Sequence, residues 1–229
     1  MVASANTERF LAAYEAAKSR GAKRAPGWLR EFRVAGIANF AALGFPTLKN
    51  EDWKYTSVEP IAAQSFGYAN GAAKNIGDSD FIVRAMVDPA APRLVFINGV
   101  FAPEHSQCKT SEPGVVLASL GDIISSDGAK TAASLGRCAR TDAEPFVALN
   151  SAFFEDGALV SIDAGCRPAE TLFLVFVSTS LNQPVISHPR ALILLGAGSQ
   201  VKIVESYVGL GGGYFCNAVT ELVGAADAV

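Results

Sequence analysis

Cysteine, histidine and charge are all scarce in this sequence of 229 residues, and each scarcity argues against a class of protein. The two histidines, His105 and His188, lie far apart, and the four cysteines include no Cys-x-x-Cys pair. Structural zinc sites usually draw on such pairs, so the sequence predicts no metal site. Charged residues make up 18% of the chain and the net charge is −3. This balance provides no basic surface for nucleic acid.

Long apolar runs are absent as well. The longest candidate, "TLFLVFV" at 171–177, suits a buried strand and is too short to span a membrane. The first twenty residues lack the basic, apolar and cleavable parts of a signal peptide. We therefore expect a cytoplasmic protein without membrane contact. In a reducing compartment free cysteines usually behave as small buried hydrophobic residues, and we expect this of Cys108, Cys138, Cys166 and Cys216. Of the four, Cys108 is expected to be the most exposed.

Hydrophobic residues, by contrast, make up half of the chain, enough for a substantial core. The pattern divides into a helical region at 1–66, a connection rich in Gly, Ala and Asn at 67–92, and a β-rich region at 93–229. Pro26 and Gly44 are typical start and stop signals of a helix between them. Asn98 and Gly99, between two apolar runs, predict a hairpin. A further helix is expected in "EPFVALNSAFF" at 144–154.

Five short strands are predicted after Gly157, with gaps too short for crossover helices. This excludes a βαβ fold and leaves a sandwich and a solenoid. Near-continuous apolar runs favour coils stacked into a β-helix, although periodicity alone leaves that choice close to even.

Motifs that could carry chemistry are weak. Gly196-x-Gly198 follows a strand, but Val201 stands where a dinucleotide-binding fingerprint needs a third Gly or Ala, so a tight turn is expected. Glu155 and Asp156 precede Gly157 as ordinary turn residues. Glu205 and Glu221 lie within predicted strands, where we expect them to face solvent or a partner chain. No catalytic set follows from these residues, and the sequence predicts a protein that is not an enzyme.

The segment "GFPTLKNEDWKYTSVEPI", residues 44–61, crowds charge against aromatic rings. It permits two interpretations. One is a catalytic site; the other is a docking segment, in which the rings are buried and the charges face water. The residues alone do not decide between them.

The chain resembles the SufB/SufD family of the SUF iron–sulfur cluster assembly system. The resemblance is carried by "GFPTLKNEDWKYTSV", "LVFINGVF", "LNSAFFEDGALVSI", "HPRALILLGAGSQVKIVESYVG" and "YFCNAVTELV". It implies a helical N-terminal region followed by a right-handed parallel β-helix, a single-stranded solenoid truncated at its C-terminus. It also favours the docking interpretation, in which Trp53 and Tyr55, with Phe45 and Pro46, anchor the passage from helices to β-rich core. Buried aromatic rings commonly supply such contact energy.

The resemblance further implies a non-catalytic scaffold subunit, or a fragment of one, in a SufBCD-type complex. Its partners would be a SufB-like subunit and a SufC-type ATPase, bound mostly through a C-terminal part that this sequence lacks. No cofactor is expected in this chain alone, whereas the full complex would handle an iron–sulfur cluster. Two rival interpretations remain at this point: a polysaccharide-acting β-helix enzyme, and a self-assembling structural β-solenoid.

The last strands carry one more expectation. A β-helix that stops after "YFCNAVTELV" leaves unpaired backbone groups, and such edges tend to pair with another chain. The sequence therefore predicts a homodimer through an edge that contains Phe215, Val219 and Leu222.

Overall fold

The computed structural model describes residues 5–21, 25–68, 85, 87–180 and 182–229. The chain divides into two compact units. The first, the helical unit, comprises Met1–Ser65 and Ala139–Phe153; the second, the sheet unit, comprises Phe66–Cys138 and Phe154–Val229. The sequence assigned 139–153 to the β-rich region, whereas these residues cluster with the N-terminal helices.

The described helices are, in chain order, α1 (Ala5–Gly21), α2 (Gly27–Leu43), α3 (Glu59–Ala63), α4 (Leu120–Asp127), α5 (Ala129–Ser134) and α6 (Pro145–Phe153). None of the helices within the described ranges has the length and apolar content needed to cross a membrane.

The helical unit is built around α2 and α6. Pro26 precedes α2, and Gly44 ends it with a φ of 66° while its N–H donates to the carbonyl of Phe40 at 2.8 Å. The predicted helix between these two signals is confirmed, as is the helix predicted at 144–154. Phe40 is fully buried, and Gly36 faces the backbone of α6 so closely that no larger side chain fits. Close backbone approach is a common reason for glycine inside a helix.

The described residues of the sheet unit form eleven strands: β1 (Gly67–Tyr68), β2 (Arg93–Ile97), β3 (Val100–Phe101), β4 (Val115–Ser119), β5 (Gly157–Ile162), β6 (Thr171–Ser178), β7 (Val185–Ser187), β8 (Arg190–Leu195), β9 (Lys202–Gly209), β10 (Tyr214–Cys216) and β11 (Val219–Gly224). They form three sheets, ordered β1-β7-β10, β11-β8-β5-β4 and β3-β2-β6-β9. Pairing is parallel except between β2 and β3 and between β4 and β5.

The predicted single-stranded right-handed parallel β-helix is therefore wrong. The strands make three separate sheets, two of them mixed, and helices α4 and α5 lie within the same unit. Apolar runs without alternation show that both faces of a strand are buried, but they do not show which strand pairs with which. The rival β-solenoid depended on the same architecture and is not retained.

The hairpin predicted at Asn98 and Gly99 is confirmed. Both residues have positive φ, 50° and 81°, and β2 and β3 pair antiparallel with Phe96 opposite Phe101. Two consecutive positive φ angles are typical of the tight hairpin turn that Asn-Gly favours. The turn predicted at Gly196–Gly198 is confirmed too, because the chain passes from β8 to β9 there with Gly198 at a φ of 66°.

Strand β6 is buried on both faces. Leu172, Leu174 and Phe176 face the main core, while Val175 and Val177 lie in a second apolar cluster. This explains the uninterrupted apolar run "TLFLVFV". Much of the connection predicted at 67–92 lies outside the described residues, although Gly67 and Tyr68 form strand β1.

Candidate functional site

The predicted docking segment, residues 44–61, begins with two residues that belong to the core of the helical unit. Pro46 is buried and Phe45 is half-buried. The ring of Phe45 lies 5.2 Å from that of Phe10, 5.1 Å from Phe40 and 6.0 Å from Phe146, all edge-on. Such edge-to-face pairs contribute beyond the area that they bury. Phe45 thus holds the start of the segment against the helices.

Trp53 and Tyr55 occupy different environments. Trp53 closes a 3-10 turn, Glu51–Trp53, and is half-buried with its ring 5.3 Å from Phe146. Tyr55 is 89% exposed, so the expectation that its ring is buried is wrong. The ring of Tyr55 lies 5.2 Å from the ammonium group of Lys54 instead. The family resemblance implied that both rings anchor the segment, whereas only that of Trp53 packs against the helices.

The charges of the segment face water, as the docking interpretation requires. Glu51, Asp52 and Lys54 are exposed, and Lys54 forms a salt bridge with Glu51. An exposed pair of this kind contributes little to stability. That this segment docks where the chain passes from the helices to the sheets stays a prediction.

The predicted oligomer edge, with Phe215, Val219 and Leu222, lies on strands β10 and β11, each of which stands at an end of its sheet. Phe215 is half-buried against Phe66 at 6.0 Å, and Val219 is buried. Leu222 is 55% exposed. It pairs with Ile193, a member of the main core, so the two side chains share the core-facing side of the sheet. Leu222 thus exposes apolar surface on an edge strand.

Sequence reasoning missed a buried ion pair between β8 and β11. Arg190 and Glu221 are 0% and 1% exposed. Nε and a terminal nitrogen of Arg190 donate to Oε1 of Glu221 at 3.0 and 2.7 Å. The guanidinium also lies 5.6 Å from the ring of Phe154. The expectation that Glu221 faces solvent or a partner is wrong, because other parts of the unit cover this side of β11.

Two backbone groups complete the surroundings of Glu221. The N–H of Gly136 donates to Oε1 at 2.8 Å and that of Cys138 to Oε2 at 3.1 Å. Burial by itself would raise the pKa of Glu221, but the charge of Arg190 and these hydrogen bonds together hold it below its usual value. The carboxylate is therefore ionised at neutral pH. One signal in the sequence could have suggested this ion pair: β8 and β11 are mostly apolar strands, and each contains a single charged residue.

Asp156 organises a second polar centre. Its carboxylate accepts hydrogen bonds from the backbone N–H groups of Phe101, Gly121 and Gly157 at 3.1, 2.9 and 2.7 Å. The hydroxyl of Ser119 donates to it at 2.8 Å. Burial raises the pKa of Asp156, while the four hydrogen bonds oppose that shift. The predicted Asp-Gly turn is not formed, because 154–156 is an irregular link that leads directly into β5 at Gly157. The carboxylate of Asp156 ties this link to β3 and to the start of α4.

Comparison with known proteins places this chain in a family. Residues 4–172, well over half of the chain, match the family described as the SufBD protein N-terminal region. The chain belongs to the SufBD family. The resemblance found in its sequence motifs is thereby confirmed.

Two curated relatives extend this SufBD match. An iron–sulfur cluster assembly SufBD family protein of Synechocystis sp. is 27% identical over 191 residues, covering 79% of this chain and 41% of the relative. The iron–sulfur cluster assembly protein SufD of Escherichia coli is 24% identical over 198 residues, covering 84% of this chain and 41% of the relative. The chain thus spans about two fifths of the length of these relatives.

The cysteines of this SufBD chain are less buried than expected. Cys108 is exposed, as predicted, but Cys138 is exposed as well, and Cys166 and Cys216 are half-buried. The expectation of small buried residues is wrong because Cys108, Cys138 and Cys166 lie in bends and loops rather than inside strands. Burial raises the pKa of the Cys108 and Cys216 thiols, so both favour the less nucleophilic protonated form.

Both histidines of the SufBD chain lie in its interior. His105 and His188 are both buried. Nδ1 of His188 lies 3.1 Å from Nδ2 of Asn217, and burial lowers the pKa of His188 to about 3, which keeps the ring neutral. Within the described ranges, no three His, Cys, Asp or Glu side chains converge so that they could hold a metal ion.

Proposed function

We propose that this chain acts in iron–sulfur cluster assembly as a non-catalytic scaffold subunit, or as part of one. The single observation that supports this proposal is the SufBD family match over residues 4–172, together with two relatives whose names describe cluster assembly.

The use of charged groups in the sheet unit is consistent with a scaffold. Asp156 receives four donors that belong to three strands and to the start of α4, and Glu221 binds Arg190 and two backbone groups. These carboxylates hold the fold together, where an acid or base of catalysis would need access to a substrate.

The proposed partners are a SufB-like subunit and a SufC-type ATPase, and the proposed cargo of the whole complex is an iron–sulfur cluster. A cytoplasmic location stays a prediction. Co-expression of the tagged chain with the SufB-like and SufC-type proteins of the same genome, followed by affinity purification and native mass spectrometry, tests the partners. We expect a complex of defined stoichiometry. Because the chain spans about two fifths of its relatives' length, the tagged product of the complete gene is tested in the same way, and its recovery alone would contradict the proposed partners.

Deletion of the gene tests the role in the cell. An iron–sulfur enzyme should lose cluster occupancy, measured as iron and absorbance per polypeptide, while the amount of its polypeptide is maintained. Reintroducing the gene should restore occupancy. Unchanged occupancy under iron limitation, in cells with no other assembly route, would contradict a function in cluster assembly.

We also propose that the isolated chain self-associates through the edge that contains β10 and β11. Each of these strands stands at an end of its sheet, Leu222 on β11 is exposed, and strands at sheet edges tend to pair with another chain. A stable contact requires about 1,000 Å² or more of buried surface. Light scattering over a dilution series should show a concentration-dependent dimer.

Paired substitutions test this edge. Leu222→Lys should weaken the dimer, because it replaces an exposed apolar side chain of the edge strand β11 by a charged one. Val116→Lys is the matched control, since Val116 is similarly exposed on β4, at the opposite end of the same sheet. A dimer weakened equally by both changes, or a strict monomer throughout, would contradict association through β11.

A further inference from the structure

The segment Gly136–Cys138 is attached to β11 by three hydrogen bonds. It follows α5 and Leu135, and it contains Arg137, which is exposed. The N–H groups of Gly136 and Cys138 donate to the two carboxylate oxygens of Glu221, at 2.8 and 3.1 Å. The thiol of Cys138 lies 3.8 Å from the carbonyl oxygen of Leu222. All three contacts thus reach two consecutive residues of one strand.

We propose that Glu221, held by Arg190, is a conformational latch that fixes Gly136–Cys138 only while β11 lies in register on β8. The register pairs Val219 with Arg190, which places the glutamate two residues further along β11 within reach of the guanidinium. A shift of β11 by one residue would turn Glu221 to the opposite face of the sheet. The contact between Glu221 and Gly136–Cys138 therefore requires that β11, the edge strand of its sheet, is paired with β8 in this register.

The chemistry of the latch makes its two states distinct. With β11 in place, the carboxylate compensates the buried guanidinium and accepts both backbone N–H groups. Without it, Arg190 is a buried charge that has lost its carboxylate, and the two N–H groups need other acceptors. Hydrogen bonds to an ionised group are stronger than neutral ones, and leaving a buried donor unsatisfied is costly. Release of β11 and release of 136–138 should therefore occur together.

Glu221→Gln is the direct test. The glutamine keeps the shape but has one acceptor oxygen, and its amide nitrogen cannot accept from a backbone N–H. We expect the amide hydrogens of Gly136 and Cys138 to exchange about tenfold faster or more, as loss of a charge-assisted hydrogen bond implies. Trypsin cleavage after Arg137 should accelerate to a similar extent. Exchange and cleavage at wild-type rates in the folded variant would overturn the latch.

Two controls separate the latch from general loosening. Cleavage after Lys109, an exposed loop residue of the same unit, should not change. Glu170→Gln changes a half-buried carboxylate just before β6 that accepts a hydrogen bond from the backbone N–H of Ser111 at 3.1 Å, and it should leave Gly136 and Cys138 protected. Equal acceleration at Lys109 in the Glu221 variant, or at Gly136 and Cys138 in the Glu170 variant, would overturn a specific role for Glu221.

A measurement on the unsubstituted chain covers the case in which Glu221→Gln does not fold. Hydrogen exchange over a series of low urea concentrations gives the opening free energy of each amide. The amides of Gly136 and Cys138 should open together with those of β11, with the same dependence on urea. Opening of Gly136 and Cys138 independently of β11 would overturn the proposal.

Discussion

Gly36 offers a sharp test of how the helical unit is held together. It lies in α2, and a β-carbon added there would meet the backbone nitrogen of Ala152 at 2.7 Å and the carbonyl oxygen of Ala148 at 2.9 Å. Ordinary contact begins at 3.4 Å, so α2 and α6 would have to separate by about 0.7 Å, a shift typical of overpacking. Since both neighbours are backbone atoms, no side-chain rotation relieves the clash.

Two effects of Gly36→Ala oppose each other. Alanine favours the helix by about 1 kcal/mol over glycine. Forcing packed elements apart costs about 1–3 kcal/mol. We expect the clash to dominate and Gly36→Ala to lower the free energy of unfolding by about 1 kcal/mol; Gly36→Val, which adds further atoms and β-branching, should lower it by about 3 kcal/mol or more.

Tryptophan fluorescence measures this unit selectively, because Trp28 and Trp53 are the two tryptophans of the chain and both lie in the helical unit. At a slope of about 1–3 kcal/mol per molar urea, a loss of 1 kcal/mol moves the midpoint by roughly 0.3–1 M. Gly27→Ala in the first turn of α2 is the control, since the nearest atom there is a flexible arginine end at 3.8 Å. Stabilisation by Gly36→Ala would refute the close approach of α2 and α6.

Three further predictions follow from the described geometry. Trp53→Ala should lower the free energy of unfolding by about 1.5–2.5 kcal/mol, measured by urea unfolding and far-ultraviolet circular dichroism. This is less than the about 3–5 kcal/mol typical of a fully buried ring, because Trp53 is half-buried. A loss below about 0.5 kcal/mol would show that the ring makes no stabilising contacts. Because the pKa of Glu221 is lowered in the folded state, its ionised carboxylate stabilises the fold at pH values above 4.5, the ordinary pKa of a glutamate, and this stabilisation is lost as the pH falls through the lower pKa of the folded state. Acid titration should therefore destabilise the chain more steeply than its Glu221→Gln variant. Parallel curves of stability against pH would contradict a depressed pKa. The purified chain should neither hydrolyse ATP nor retain a cluster after anaerobic reconstitution and desalting, and a stoichiometric cluster that disappears on replacing Cys108 or Cys216 would disprove this.

Local signals in the sequence predicted local structure well. Pro26 and Gly44 bound a helix, and Asn98 and Gly99 make the hairpin, because each feature depends on φ preferences that the residues themselves carry. The family was also recognisable from motifs, and its match was confirmed.

Features that depend on distant residues were not predictable in this way. The burial of Glu221 depends on Arg190, 31 positions earlier, and on backbone groups more than 80 positions away. The apolar runs of β5 and β8 do not reveal that they pair in parallel. Tyr55 shows the opposite failure, because an aromatic ring expected to be buried is exposed.

The discontinuous make-up of the helical unit has a consequence for the order of events during synthesis. Domains generally fold as units while the chain emerges, the N-terminal one first. Here α2 reaches its partner α6 only after residue 153 has been made, since Ala139–Phe153 completes the unit. Strands β2, β3 and β4 emerge before that point. The helices at the start of the chain therefore lack α6 at first, and the surface around Gly36 is uncovered while part of the sheet unit is already available to fold.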